Sequence, residues 1–178
     1  MADDFEALTI DQYVREAART DQRKGPGTIG FTMLGLVGET GSLLAEAKKK
    51  QRDAAFYLGY AEAVAEEIGD VLWYLAAVAR RHRLALSDIA AAALVADGVY
   101  RAGANAALSL HALQPAHMPL AKAPMPKFEH GLLGLAGEVG LLARDIDGAG
   151  QPGHRAAVAQ SMVAIMRRLI QAATDSGV

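Results

Sequence analysis

Two stretches of the chain set acids into apolar runs in a way that suits metal chemistry. One is Gly35-Leu36-Val37-Gly38-Glu39-Thr40-Gly41-Ser42-Leu43-Leu44; the other is Glu66-Glu67-Ile68-Gly69-Asp70-Val71-Leu72-Trp73-Tyr74-Leu75. Both read as helix. Glu67 and Asp70 stand three apart and so share one helix face. Glu39 lies mid-helix among leucines and glycines. Carboxylates are rarely buried unless paired or bound to a metal. Several of them facing one another between two helices would make a hard, oxygen-rich site of the kind Mg²⁺ takes.

The elements that must position these acids are helical. Alanine and leucine dominate, and strand-type alternation with hairpin turns is absent. The expected fold is therefore an all-α helical bundle. Thr9-Ile10-Asp11-Gln12 has the form of a capping box and predicts a helix over 10–20. Gly25-Pro26-Gly27 breaks the chain. A second helix is predicted from 28 or 31 to 50, a third over 56–83 with a loop possible at its start, and a fourth from a cap at Ser87-Asp88 to 107. Pro115, Pro119, Pro124 and Pro126 exclude a continuous helix over 112–127. Two more helices, over 128–146 and 154–173, flank the loop that holds Gly148, Gly150 and Gly153. A mid-helix glycine costs roughly 1 kcal/mol relative to alanine. Gly35, Gly38 and Gly41 on one helix therefore imply close approach of another helix or a ligand.

Composition bounds the function classes. Of 178 residues, 52% are hydrophobic and 21% charged, enough for a sizeable core. A net charge of −2 argues against a general nucleic-acid binder. With 0 cysteines there is no disulfide frame, thiolate metal site or cysteine nucleophile. The acidic start Met1-Ala2-Asp3-Asp4-Phe5-Glu6 lacks the features of a signal peptide, and no apolar run is long enough to span a membrane. The expectation is a cytoplasmic protein with no nucleic-acid or membrane partner.

The chain also contains a repeat. Leu34-Gly35-Leu36-Val37-Gly38-Glu39-Thr40-Gly41 matches Leu133-Gly134-Leu135-Ala136-Gly137-Glu138-Val139-Gly140, an offset of 138 − 39 = 99. With an offset of 157 − 63 = 94, the segment from Ala63 to Asp70 falls on the segment from Ala157 to Ala164. The apolar frame persists, while Glu66, Glu67 and Asp70 become Gln160, Ser161 and Ala164. Their coordinated loss in one copy favours a chemical role for the acids in the other. Glu138, left without acid partners, reads as a relic.

Gly-x-x-Gly-Glu-x-Gly followed by Glu-Glu-x-Gly-Asp-Val-Leu-Trp-Tyr-Leu resembles the all-α nucleoside triphosphate pyrophosphohydrolases, the MazG-like group with its dimeric dUTPase and phosphoribosyl-ATP pyrophosphatase relatives. The resemblance covers residues 28–95 well and 128–172 weakly. It implies a MazG-like four-helix catalytic unit over 1–107, a Pro-rich linker over 108–127, and a degenerate scaffold repeat over 128–178, together a pseudo-dimer. It further implies cleavage of a (d)NTP to the monophosphate and pyrophosphate with Mg²⁺ or Mn²⁺, and a role in clearing nucleotides. The family pattern is Glu-x-x-Glu on one helix and Glu-x-x-Asp on the next. On this chain it gives Glu39, Glu67 and Asp70 as metal ligands, with Glu66 a further catalytic candidate. Ser42 replaces the second Glu of the first pair; Ser42 through a bound water, or Glu46 on the same face, are the candidate substitutes. The Asn and Lys usual on the fourth helix are missing, since that region is Ala90-Ala91-Ala92-Ala93-Leu94-Val95-Ala96.

Other assignments divide more evenly. Lys48, Lys49 and Arg52, with Lys50, either meet substrate phosphates or form a solvated helix end. Trp73 reads as core, and Tyr74 as a candidate wall of a base pocket. The five histidines show no zinc spacing, and no Glu-x-x-His pair of the di-metal bundles is present. Beside the hydrolase stands a catalytically weakened nucleotide-binding or helical interaction protein, suggested by Ser42 and the alanine-rich fourth helix. Pairing of two chains into a homodimer is compatible with either.

Overall fold

The computed structural model describes residues 8–23, 25–96 and 126–177. These residues are mostly helical, with six α-helices and no extended strand among them. In order they are α1 (Ile10–Thr20), α2 (Ile29–Asp53), α3 (Tyr60–Arg81), α4 (Leu86–Ala96), α5 (Pro126–Asp147) and α6 (His154–Ser176). Short 3₁₀ turns at Pro26–Thr28 and Ala54–Phe56 flank α2. The all-α expectation holds. No helix among the described residues is long and apolar enough to cross a membrane.

Local chemistry explains most boundaries. Thr9 Oγ1 accepts from the Gln12 amide at 3.2 Å, and Gln12 Oε1 accepts from the Thr9 amide at 2.8 Å, so the capping box forms as the sequence predicts. Helix α5 starts at Pro126, two residues before the expected position, because proline at a helix start gives up no hydrogen bond. Helix α3 starts at Tyr60, since the chain first turns through Ala54 at φ 48° and Gly59. Ser87 and Asp88 do not cap α4; they sit inside its first turn. The expected extension of α4 to 107 and nearly all of the linker lie outside the described residues.

Helix α2 packs along α3, and α5 packs along α6, with α2 against α5 joining the two pairs. Helix α4 lies mainly on α6, with Ala90 and Ala93 buried. The core is continuous across both halves. Leu36, Leu43, Val64, Val71 and Leu75 join Leu132, Leu135, Leu142, Met162 and Ile165 in a single apolar cluster.

A charged clamp holds α1 and the turn after it onto α3. Asp21 is 5% exposed and accepts from Arg80 and, at 2.9 Å, from Arg81. Arg81 also donates to Thr28 Oγ1 at 2.8 Å and to the Arg23 carbonyl at 2.9 Å. Burial pushes the Asp21 carboxyl up, but hydrogen bonds from Arg81 and the Arg23 amide, with the charges of Arg81 and Arg80, outweigh it and hold the group below the usual range. Trp73, expected in the core, is instead half-buried and donates from Nε1 to Thr20 Oγ1 at 2.8 Å.

Removing one partner of a buried ion pair costs about 3–5 kcal/mol because the other charge loses its counter-ion. Asp21→Ala is expected to lower unfolding stability by that order in urea denaturation. Because the Asp21 pKa is depressed on folding, its contribution is present above the unfolded value of about 3.9 and is lost as pH falls through the folded one. The gap between wild type and Asp21→Ala should therefore narrow on acidification.

Candidate metal centre

The packing of α2 on α3 brings the three predicted acids together. Glu39 from α2 and Glu67 and Asp70 from α3 each offer a carboxylate oxygen, and these oxygens lie within 4.8 Å of one another. Glu39 and Glu67 are half-buried and Asp70 is exposed, so the cluster opens to solvent on one side. The core face of each helix dictates this. Leu36, Leu43, Val71 and Leu75 are each 0% exposed, which rotates Glu39, Glu67 and Asp70 to the margin of the α2–α3 seam.

The cluster is held at an electrostatic cost. Burial, then the charge of Asp70, raises the Glu39 pKa. Burial raises the Glu67 pKa as well, followed by the charges of Glu39, Asp70, Glu46 and Glu66. Glu67 Oε2 is buried without a hydrogen-bond partner. A buried acceptor left unpaired is costly. These residues fit a divalent cation. The donor set is all carboxylate oxygen, and oxygens on opposite sides of one ion at 2.0–2.6 Å are about 4–5 Å apart.

The other expected site residues divide. Glu46 is buried at 6% exposure and accepts hydrogen bonds from Tyr57 Oη and Lys49 Nζ. It lies outside the three-acid group yet close enough to raise the Glu67 pKa. Ser42 is half-buried one turn after Glu39, and Glu66 is exposed. Lys49 is engaged by Glu46, and Arg52 pairs with Asp53 at 2.7 Å. Lys50 donates to the Tyr57 carbonyl at 3.4 Å and lies 5.3 Å from the Tyr60 ring centre. Lys48 is exposed on the same helix end.

Tyr74 borders the cluster. Burial raises its pKa first, then the charges of Glu39 and Asp70. Its ring occupies the space that a Cβ on Gly35 would take, and it meets Trp73 edge-on at 4.9 Å between ring centres. Gly35 therefore answers to close approach, as predicted. Gly38 and Gly41 do not: added Cβ atoms there would meet nothing, because both positions face solvent.

Two residues near the acids escape sequence reasoning. Tyr13 on α1 is pushed up to about 12 by burial and then by Asp70. Tyr57, held up to about 12 first by its hydrogen bond to Glu46, anchors that carboxylate from the loop before α3. Nothing local to Tyr13 predicts its neighbour Asp70, and nothing local to Tyr57 predicts its partner Glu46.

The comparisons with known proteins add no relative: no family model, curated protein or solved structure matches the chain.

Two predictions follow from this geometry. Glu39 and Glu67 have raised folded-state pKa values, so their contribution to stability is present below the unfolded value of about 4.3 and lost as pH rises through the folded values. At neutral pH a bound divalent cation should restore it. At a concentration near 100 Kd, Mg²⁺ or Mn²⁺ should stabilise the fold by about 2.7 kcal/mol, read as a rise of several degrees in Tm. Glu67→Gln should leave the metal-free Tm unchanged or raised and remove the metal-induced rise. Separately, Gly35→Ala should destabilise by about 1–3 kcal/mol through overpacking, and much less in a Tyr74→Ala background, which chemical denaturation of the four variants would resolve.

Proposed function

We propose that the chain is a Mg²⁺-dependent nucleoside triphosphate pyrophosphohydrolase of the MazG-like all-α group, cleaving a (d)NTP to the monophosphate and pyrophosphate. The second helix pair acts in this reading as the degenerate half of a pseudo-dimer. The observation that carries it is the convergence of Glu39, Glu67 and Asp70 within 4.8 Å, with Glu67 Oε2 buried and unpartnered. These are the residues that the resemblance in sequence assigns to the metal.

Glu39, Glu67 and Asp70 would hold the ion, Mg²⁺ or Mn²⁺. A divalent ion there supplies neutralisation of phosphate charge and a more acidic water at phosphorus. The protein's own groups do the rest. Glu66 is exposed beside Glu67 and is the candidate to orient the attacking water and accept its proton. Burial and hydrogen bonding fix Glu46 behind Glu67, where its charge deepens the negative potential that draws a cation in. Tyr74, set over Gly35, offers an aromatic edge for a base. Of the basic residues at the end of α2, Lys48 and Lys50 form no ion pair among the described residues, and Lys48, which unlike Lys50 is exposed and not held by Tyr57 and Tyr60, is the first candidate for phosphate contact.

Incubation with a panel of NTPs and dNTPs and Mg²⁺ should yield pyrophosphate and the matching monophosphate. Glu67→Gln and Asp70→Asn should each lower the rate by about 10²-fold or more, the scale of a lost positioned catalytic group. Absence of pyrophosphate release across the whole panel would sink the enzymatic reading. Tight nucleotide binding in calorimetry without turnover would instead favour the binding-protein alternative that Ser42 suggests.

A further inference from the structure

Asp21, Arg23, Gly25, Thr28, Arg80 and Arg81 line a cavity of about 360 Å³ that shares no residue with the acid cluster. It lies where the turn between α1 and α2 meets the end of α3. Along α3, Arg80 follows Asp70 by ten residues, roughly 15 Å at a rise of 1.5 Å per residue, so the cavity is separate from the candidate metal centre. Its volume falls within the range of small-ligand pockets, about 300–1,000 Å³.

The charges in this cavity do not balance. Asp21 is the one acid among the described residues that line it, and it accepts from both Arg80 and Arg81. Counted in full against Arg23, Arg80 and Arg81, it leaves an excess of two positive charges. The three arginines are not equally occupied. Arg81 is committed to the clamp, donating to Asp21, to Thr28 Oγ1 and to the Ala77 and Arg23 carbonyls. Arg80 donates to Asp21 from Nη2, while its Nη1 is buried with no hydrogen-bond partner. A buried charged donor left unpaired is costly. The Arg23 side chain lies 4.1 Å from the centre of the Phe31 ring and makes no ion pair or hydrogen bond among the described residues. The N-terminus of α2 adds to the positive potential. No side chain caps it at Thr28, and no acid stands in its first turn.

The geometry points to an anion site in this cavity, in which Arg80 and Arg23 hold a phosphate group and Asp21 and Arg81 keep the arginines in place. A guanidinium presents a planar fork of donors that matches phosphate oxygens. The excess of two charges matches a phosphate, which carries about −1.5 to −2 at neutral pH, and not a lone carboxylate. The cavity has room for free phosphate or for the phosphate end of a small ester. Binding there needs no divalent cation and draws on none of the residues assigned to hydrolysis.

The test is calorimetric titration of the full chain in EDTA at fixed ionic strength, with inorganic phosphate, with AMP and with acetate. Saturation by inorganic phosphate assigns the cavity to the free anion; saturation by AMP alone assigns it to a phosphate ester. In either case Arg23→Gln and Arg80→Gln should each weaken binding at least tenfold, with circular dichroism confirming the fold. Arg23 lies outside the ion pairs of the clamp, so Arg23→Gln decides the matter even if Arg80→Gln fails to fold. Glu67→Gln should leave binding unchanged. Absence of saturation by both phosphate and AMP overturns the inference. So does acetate binding as tightly as phosphate, binding that survives Arg23→Gln, or binding lost in Glu67→Gln.

Discussion

The mutual repulsion of Glu39, Glu67 and Asp70 is the constraint on which the rest of the molecule bears. Burial and then the charge of Asp70 raise the pKa of Glu39, and burial and then the charges of Glu39 and Asp70 raise that of Glu67. Acids placed this close would separate if their helices were free to turn. They are not free. Leu36 and Leu43 on α2, and Val71 and Leu75 on α3, are buried in the same cluster that joins both helix pairs. Rotating either helix to relieve the acids would expose those side chains, at roughly 1.5–3 kcal/mol for each one brought fully to solvent. The core therefore holds a charge arrangement that is unfavourable by itself, as expected of a site shaped for a positively charged ligand.

Around the cluster the structure separates charge that must stay from charge that can act. Asp21 and Glu46 are both acids in apolar surroundings, yet both are satisfied, Asp21 by two arginines and Glu46 by Lys49 and Tyr57. Their pKa values are lowered in spite of burial. Glu39 and Glu67 move the other way because burial and neighbouring acids raise them and no cation among the described residues offsets this. The direction of the shift sorts structural from candidate functional acids more sharply than burial does, since Glu46 is the more buried residue.

The two helix pairs show what a common frame does and does not specify. Gly35 and Gly134 each make room for the residue that faces them, and that residue is Tyr74 in one pair and Arg168 in the other. The remaining glycines of the repeat, Gly38, Gly41, Gly137 and Gly140, face open space. Close approach of a side chain thus accounts for only one glycine of each motif. The structure gives no packing reason for the others.

Much was legible in the sequence because it is local. The capping box at Thr9, the apolar period of the helices, and the proline and glycine breaks act within a few residues, and they determined the all-α class and the extent of α1 outright. The spacing of Glu67 and Asp70 fixed their common face for the same reason. What lies across the fold was not legible. Trp73 is as apolar as a core residue, but its indole nitrogen finds Thr20 on another helix and keeps the ring near the surface. Lys49 and Arg52 read as free cations, yet they are engaged by Glu46 and Asp53. The sequence by itself determined which helices form and which residues carry charge. Only the tertiary structure decided which charges meet, because the rotation of α2 against α3 is set by burial of the whole apolar core and not by the acids.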